Sequence, residues 1–99
     1  MIRGTTPVLE FTLPFSTSNL TEAYISFAQR GIVVIEKTLQ DCVCNENTMQ
    51  LKLTQKDTLS LHENRKTEIQ IRVKTIDGDA LASVIMMVDT DRILKDGEI

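Results

Sequence analysis

The sequence predicts an all-β protein, an antiparallel immunoglobulin-like β-sandwich of six to eight short strands. In several segments a large apolar residue recurs at every second position, which is typical of strands with one face in a core and one in water. Turn residues separate these segments about every 8–12 residues, and no stretch has the spacing of an amphipathic helix. This pattern favours a sandwich, with a small β-barrel as the alternative.

The first predicted strand is Leu9–Phe15, in which every odd position is a large apolar residue. Pro14 has no N–H for a sheet ladder, so this strand is expected to lie at a sheet edge or to end there. A loop follows, and the next strand places Ala23, Ile25 and Phe27 on one face.

That second strand is predicted to form a hairpin spanning Glu22–Thr38, with its turn at Gln29-Arg30-Gly31. Gly31 is suited to the turn because it adopts a positive φ without steric cost. The returning strand contains the β-branched run Ile32–Ile35, which is apolar on both faces. We therefore expect an interior strand that is covered on both sides.

The middle of the chain predicts two short strands and one helical turn. Asp41–Cys44 is the first strand, and Thr48–Thr54 is the second, with Met49, Leu51 and Leu53 facing inward. Thr54 and Asp57 have the hydroxyl-x-x-acid spacing of a capping box, which predicts a helical turn over Gln55–Leu59. Leu59 and Leu61 are expected to close the end of the core.

The longest predicted strand is Thr67–Thr75, and Asp77-Gly78 indicates that it turns back as a hairpin. Ala80–Val88 is predicted as one continuous returning strand, with Leu81, Ser83, Ile85 and Met87 on one face. In the tail, Ile93 and Leu94 are expected to complete the core as one more strand. Otherwise they form an exposed patch or strand that adds to the sheet edge of a neighbour.

Length, charge and hydropathy narrow the function classes. Ninety-nine residues make one domain, 1–99, and a net charge of −3 argues against general nucleic-acid binding. No apolar run reaches the roughly 18 residues of a membrane span, so no membrane partner is expected. The segment Met1–Pro7 has no apolar core of a signal peptide, which predicts a protein that is not secreted by that route.

The residues that could carry chemistry have simpler explanations. Cys42 and Cys44 are two apart on a predicted strand and are expected to be buried, reduced thiols. His62 is the only histidine and lies in a polar stretch, and no catalytic motif accompanies it. The Asp77/Asp79 and Asp89/Asp91 pairs could offer oxygens to a hard cation, but both also fit turns and loops. We therefore expect no enzyme, no metal and no cofactor.

Charge and exposed apolar residues suggest where partners bind. The segment Lys52–Lys74 has six basic and three acidic residues, including Arg72 and Lys74, whereas Asp77–Ile99 has two basic and six acidic residues. Such segregation allows head-to-tail association between copies of the chain, although ordinary solvated strand faces also explain it. Tyr24 is the outward-facing aromatic that a module binding a host protein or a carbohydrate would use. The candidate binding residues are Tyr24, Arg72, Lys74, Ile93 and Leu94.

The order of features resembles that of small proteins encoded in phages and prophages of Gram-positive bacteria, starting with Met1–Pro7 and the Leu9–Phe15 strand. The similar layout continues through Ala23–Phe27, Gly31, Leu51-Lys52-Leu53-Thr54-Gln55, Asp57-Thr58-Leu59, Ile69–Val73, Asp77-Gly78 and Arg92-Ile93-Leu94-Lys95-Asp96-Gly97. More distantly, the plan is similar to the N-terminal β-sandwich domain of phage baseplate upper proteins.

This resemblance implies a structural or assembly role in a phage tail or baseplate. It implies as partners other phage structural proteins or the chain itself, and as location the host cytoplasm, the virion or both. The chain stops where a baseplate protein would continue, so we expect a free-standing subunit or adaptor. The alternative function is a small intracellular binding module for a host protein or a carbohydrate.

Overall fold

Two antiparallel sheets of three and five strands form the protein in the computed structural model, which describes residues Met1–Ile99. The strands are β1 (Val8–Thr12), β2 (Leu20–Gln29), β3 (Ile32–Thr38), β4 (Cys42–Asn45), β5 (Thr48–Lys52), β6 (Arg65–Thr75), β7 (Ala80–Ala82) and β8 (Met86–Thr90). A short helix, α1 (Gln55–Leu59), joins β5 to β6, and 3₁₀ turns occupy Thr17–Asn19 and Leu39–Asp41.

The strand order is that of an immunoglobulin-like sandwich. One sheet has the order β1-β5-β4; the other has the order β3-β2-β6, with β7 and β8 both paired to β6. Relative to a variable-type immunoglobulin domain, β1, β5 and β4 take the places of strands B, E and D. In the other sheet, β3, β2, β6 and the β7–β8 edge take the places of C′, C, F and G. The predicted fold class is confirmed, and the sheets remain separate rather than forming the small closed barrel of the alternative.

The core lies between the two sheets and is built from the inward faces that the alternation predicts. Both sheets contribute to it, and Leu53 adds to it from the segment that directly follows β5. The buried side chains are Ala23, Ile25, Phe27, Ile69, Ile71, Val73, Met49, Leu51 and Leu53. Leu61 is buried at one end of this core, as expected, whereas Leu59 is only half-buried. Burial of these apolar side chains is the main favourable contribution to folding.

The predicted turns and the capping box are also confirmed. Arg30 and Gly31 both have positive φ, at 52° and 77°, in the β2–β3 hairpin, and Gly78 has a φ of 86° in the β6–β7 hairpin. At the start of α1, the backbone N–H of Asp57 donates to Thr54 Oγ1, and the N–H of Thr54 donates to Asp57 Oδ2. These local signals predict structure well because each acts within a few residues.

The prediction that Ile32–Ile35 is an interior strand is wrong. β3 pairs only with β2 and is an edge of the five-stranded sheet, and Ile32 and Val33 are 70% and 54% exposed. In the β2–β3 ladder, Phe27 lies opposite Ile35 and Ala28 opposite Val33, so Val34 is an extra residue in a β-bulge. The β-branched run therefore reflects strand propensity and not cover on both faces.

The prediction of one continuous strand over Ala80–Val88 is also wrong. Leu81 lies opposite Val73 and Met86 opposite Ile69, so the edge chain has one more residue than β6 over this interval. This bulge separates β7 from β8. Because of the extra residue, the inward-facing position is odd-numbered in β7, at Leu81, and even-numbered in β8, at Met86. Leu81 and Met87, which were predicted to share a face, therefore lie on opposite faces: Leu81 is opposite the inward-facing Val73, and Met87 is opposite Glu68 and exposed.

The only α-helix, α1, has five residues, and no helix in the structure has the length and apolar character to cross a bilayer.

A candidate protein-binding cleft between two sheet edges

The two sheets of the sandwich separate along the side where β1 and β7 are the edge strands. A cleft with a volume of about 490 Å³ opens there, and eight of its twelve lining residues are hydrophobic. We call this feature the edge cleft. Its apolar surface comes from the β1 segment, from β6 and from the β7–β8 edge, through Phe11, Leu13, Phe15, Ile71, Val73, Leu81 and Met86.

The edge cleft is open because no strand lies beside β1. In an immunoglobulin sandwich, strand A pairs with the strand at the β1 position and covers this side. Here the chain before β1 lies elsewhere, because Ile2 forms a parallel bridge with Asp91 at the end of β8. The Arg3 N–H donates to the Asp91 carbonyl, and the Asp91 N–H donates to the Met1 carbonyl. The apolar floor between β1 and β7 is therefore left uncovered.

One wall of the edge cleft is an uncharged edge segment, Ala80–Val88. Edge strands are usually protected from further pairing by charged residues, by proline or by a bulge. This edge has only the bulge, in which the Ile71 N–H donates to Ser83 Oγ at 3.1 Å and Ser83 Oγ donates to the Val84 carbonyl at 2.9 Å. Val84 and Ile85 are exposed beside it. This edge is thus anchored to β6 while its apolar side chains face solvent.

Three acidic residues lie at or next to the edge cleft. Glu10 lines it directly, and Asp77 and Asp79 line an adjoining cavity of about 280 Å³ that shares Phe15 and Leu81 with it. None of these three carboxylates takes part in an ion pair within the chain. A segment with apolar and basic side chains therefore complements this surface.

Tyr24, Arg72 and Lys74 do not line the edge cleft. Tyr24 lies opposite Arg72, and Lys74 opposite Glu22, on the outer face of the five-stranded sheet. The Tyr24 hydroxyl donates to Glu22 Oε1 at 3.2 Å, and the charge of Glu22 raises the pKa of Tyr24 above its usual value. These three predicted residues come together as a group, but on a face where acidic and basic side chains alternate. Binding through Tyr24 stays a prediction.

The charge segregation along the sequence is reduced by the strand pairing. β6 carries much of the basic segment, and it pairs with β8, which lies within the acidic segment. Lys66 on β6 forms an ion pair with Asp89 on β8, and both side chains are largely exposed. Among the charges that remain unpaired are the acids beside the edge cleft and the basic residues Arg92 and Lys95 of the tail.

The expectation that Ile93 and Leu94 complete the core as another strand is wrong. No strand forms after Thr90, because the tail leaves the β6–β8 ladder and turns toward α1. Ile93 is half-buried and packs beside Gly4 and Leu59, where a Cβ on Gly4 would stand 2.9 Å from Ile93 Cδ1. Leu94 is 92% exposed.

The two thiols differ in environment, so the expectation that both are buried is wrong for Cys44. Cys42 is half-buried and Cys44 is exposed, and both are free. Burial raises the pKa of the Cys42 thiol to about 11, with the neighbouring Cys44 and Asp41 acting in the same direction. No three His, Cys, Asp or Glu side chains converge in an arrangement that could hold a metal ion.

Sequence reasoning missed the edge cleft. A cleft forms where a neighbouring strand is missing, and the alternation within one strand does not show which strands lie beside it in the sheet. No signal in the sequence shows the extra residue of the edge strand, because every residue of Ala80–Val88 except Ser83 is apolar and the inward positions do not stand out.

Comparison with known proteins gives no relative: no protein-family model, no curated protein and no solved structure matches this chain.

Proposed function

We propose that this chain is a non-enzymatic structural or assembly protein of a phage or prophage, acting through protein–protein contacts in the tail or baseplate. The edge cleft is the observation that carries the proposal of protein contacts. An exposed apolar groove between two sheet edges is the kind of surface to which an extended segment of another protein adds. The proposal assigns the contacts to β1, β6 and the β7–β8 edge.

Packing energetics support an occupant for the edge cleft. In the cleft lining, Leu81 is 46% exposed and Leu13, Phe15 and Met86 are half-buried. Covering such side chains contributes about 25 cal/mol per Å² of apolar surface removed from water. A partner that covers them also satisfies the free backbone groups of the edge. Both gains favour association over an isolated chain.

The phage assignment rests on the layout of the sequence, which resembles small phage and prophage proteins and, more distantly, the first domain of baseplate upper proteins. An immunoglobulin-like sandwich with an open edge suits a subunit or adaptor that joins other components. In this proposal the protein is present in the host cytoplasm during assembly and, where it stays in the particle, in the virion.

The proposal is tested by photo-crosslinking in cells that produce phage particles. A photoreactive phenylalanine analogue replaces Leu81, which lies opposite the inward-facing Val73, lines the edge cleft and is 46% exposed. The matched control carries the same analogue at Val43, an exposed position on β4 in the other sheet. We expect adducts of the Leu81 probe to head, tail or baseplate proteins, or to a second copy of the chain, and at least tenfold less adduct at Val43.

Equal adduct formation at both positions would show that the edge cleft is not the binding surface. Adducts only to proteins unrelated to the particle would contradict the phage role. Mass spectrometry of the adducts distinguishes these results.

A further inference from the structure

We propose that the edge cleft of one copy receives the tail segment Arg92–Lys95 of a second copy, so that copies associate head to tail. This inference rests on the proposed function and names its partner. Leu94 would enter the apolar cleft, and Arg92 and Lys95 would face the acidic residues around it.

The tail segment is exposed enough to insert into another copy; we call it the donor segment and the edge cleft its acceptor. Leu94 is 92% exposed, and Ile99 is equally exposed further along the tail. Three contacts hold the tail against the domain on either side of Leu94: Ile93 packs beside Gly4, Asp96 lies 3.8 Å from Arg3 Nη1, and the Ile99 N–H donates to Gln55 Oε1. Leu94 is thereby presented to solvent by a segment whose ends are already ordered, which lowers the entropic cost of binding.

The charges of donor and acceptor are complementary. Arg92 and Lys95 form no ion pair within the chain, and the Lys95 ammonium donates only to the Asp96 carbonyl. Glu10, Asp77 and Asp79 around the edge cleft are also free of ion pairs. Asp96, the acidic neighbour of Lys95, faces Arg3 of its own chain. The apolar pair Ile93-Leu94 between two basic residues therefore complements an apolar cleft with three carboxylates at or next to it, which favours the correct register.

The structure keeps the tail away from the cleft of its own chain. No residue after Thr90 lines the edge cleft, and the three contacts described above hold the tail beside the N-terminal segment and α1. The donor and the acceptor are therefore two different surfaces that meet between copies. Such a contact is heterologous and builds rings or open chains of subunits.

The first test measures mass by light scattering during size-exclusion chromatography, from about 10 to 500 μM, the range expected for a small interface. We expect the mass of the wild-type chain to rise with concentration and to fall toward the monomer at about 0.5 M salt, where charges are screened. Leu94→Ser should weaken the association at least about tenfold, since one leucine side chain remains in water. Ile99→Ser, an equally exposed residue in the same tail, is the matched control and should associate like the wild type.

The second test reverses the charges of each partner surface. Asp77→Lys with Asp79→Lys makes the acceptor basic, and Arg92→Glu with Lys95→Glu makes the donor acidic; all four side chains are exposed. Each double variant alone should be monomeric, because the donor segment of one copy and the acceptor of the next copy then carry charges of the same sign. An equimolar mixture should recover the concentration-dependent mass of the wild type. Glu22→Lys with Glu36→Lys, on the outer face of the five-stranded sheet, changes the net charge by the same amount as Asp77→Lys with Asp79→Lys and should associate like the wild type.

A wild-type chain that is monomeric at every concentration would overturn the inference, as would a normal association of Leu94→Ser or a mixture that stays monomeric. The proposed function would survive such results if the probe at Leu81 crosslinks to other particle proteins, because the edge cleft would then have a different occupant. Absence of self-association together with absence of crosslinks to particle proteins would overturn both this inference and the proposed function.

Discussion

Cys42 and Cys44 show how two identical side chains on one strand acquire different chemistry. They lie opposite Leu51 and Met49 in the β4–β5 ladder, so both point to the same face. Cys42 packs against the core and its Sγ donates to the Thr38 carbonyl, whereas Cys44, next to the β4–β5 turn, is exposed. Burial disfavours the thiolate of Cys42, and only the thiolate is the nucleophile.

We predict that a thiol reagent such as a disulfide-exchange dye labels Cys44 at least tenfold faster than Cys42 at pH 8. The reason is that the pKa of Cys42 is raised to about 11, so little of it is thiolate at that pH. Cys44→Ser should remove the fast phase, and Cys42→Ser should leave it. Labelling of Cys42 should keep accelerating as the pH rises toward 11. Two equal rates at pH 8 would contradict the difference in burial.

At the scale of elements, the β7–β8 edge depends on one hydroxyl group. Ser83 Oγ replaces a backbone carbonyl as the acceptor for the Ile71 N–H, and the Gln70 side-chain amide donates to the Ser83 carbonyl at 3.1 Å. These bonds attach the bulge to β6 and keep Leu81 and Met86 on the inner side of the sheet. The edge wall of the cleft is therefore positioned by a polar contact as well as by apolar packing.

We predict that Ser83→Ala lowers the free energy of unfolding by about 1–3 kcal/mol, because the N–H of the buried Ile71 loses its acceptor. The measurement is urea denaturation followed by circular dichroism. Ser26→Ala is the control, because Ser26 lies on β2 of the same sheet and its hydroxyl forms no hydrogen bond in the structure; it should change stability by no more than about 0.5 kcal/mol. If both variants had the same stability, the hydroxyl would have no structural role.

Across the whole molecule, both ends of the chain meet at the end of the sandwich where α1 lies. The Arg3 guanidinium donates to the Leu61 carbonyl at 2.7 Å and to the Leu59 carbonyl at 3.0 Å, and it lies near Asp96 in the tail. The Thr58 hydroxyl donates to the Thr5 carbonyl. The N-terminal segment therefore connects β8, α1 and the tail, and it does so instead of covering the edge cleft.

We predict that Arg3→Ala costs about 1–3 kcal/mol of stability, because hydrogen bonds from a charged donor are lost and two carbonyls lose their partner. Arg3→Lys should recover only part of this loss, since an ammonium cannot reproduce the planar fork of the guanidinium. Arg92→Ala, which removes an exposed arginine without an ion pair, is the control and should be within about 0.5 kcal/mol of the wild type by urea denaturation. A normal stability of Arg3→Ala would mean that the N-terminal segment does not hold this end together.

The sequence by itself determined the features that depend on near neighbours along the chain. Alternation placed Ile25, Phe27, Leu51 and Ile71 in the core, because side chains in a strand point to opposite faces in turn. Turn and capping residues placed the hairpins and α1, because their hydrogen bonds close within a few residues. These features together were sufficient to predict the fold class.

Only the tertiary structure decided which strands lie at sheet edges and what covers them. The run Ile32–Ile35 suits an interior strand as well as an edge strand, and its exposure depends on whether a strand far away in sequence pairs with it. The extra residue near Ser83 changes which side chains face the core, and its effect depends on the partner positions in β6. The edge cleft likewise exists because the Met1–Arg3 segment pairs at Asp91 instead of beside β1. Long-range pairing is a competition between segments of similar local propensity, and the packing of the whole chain decides its outcome.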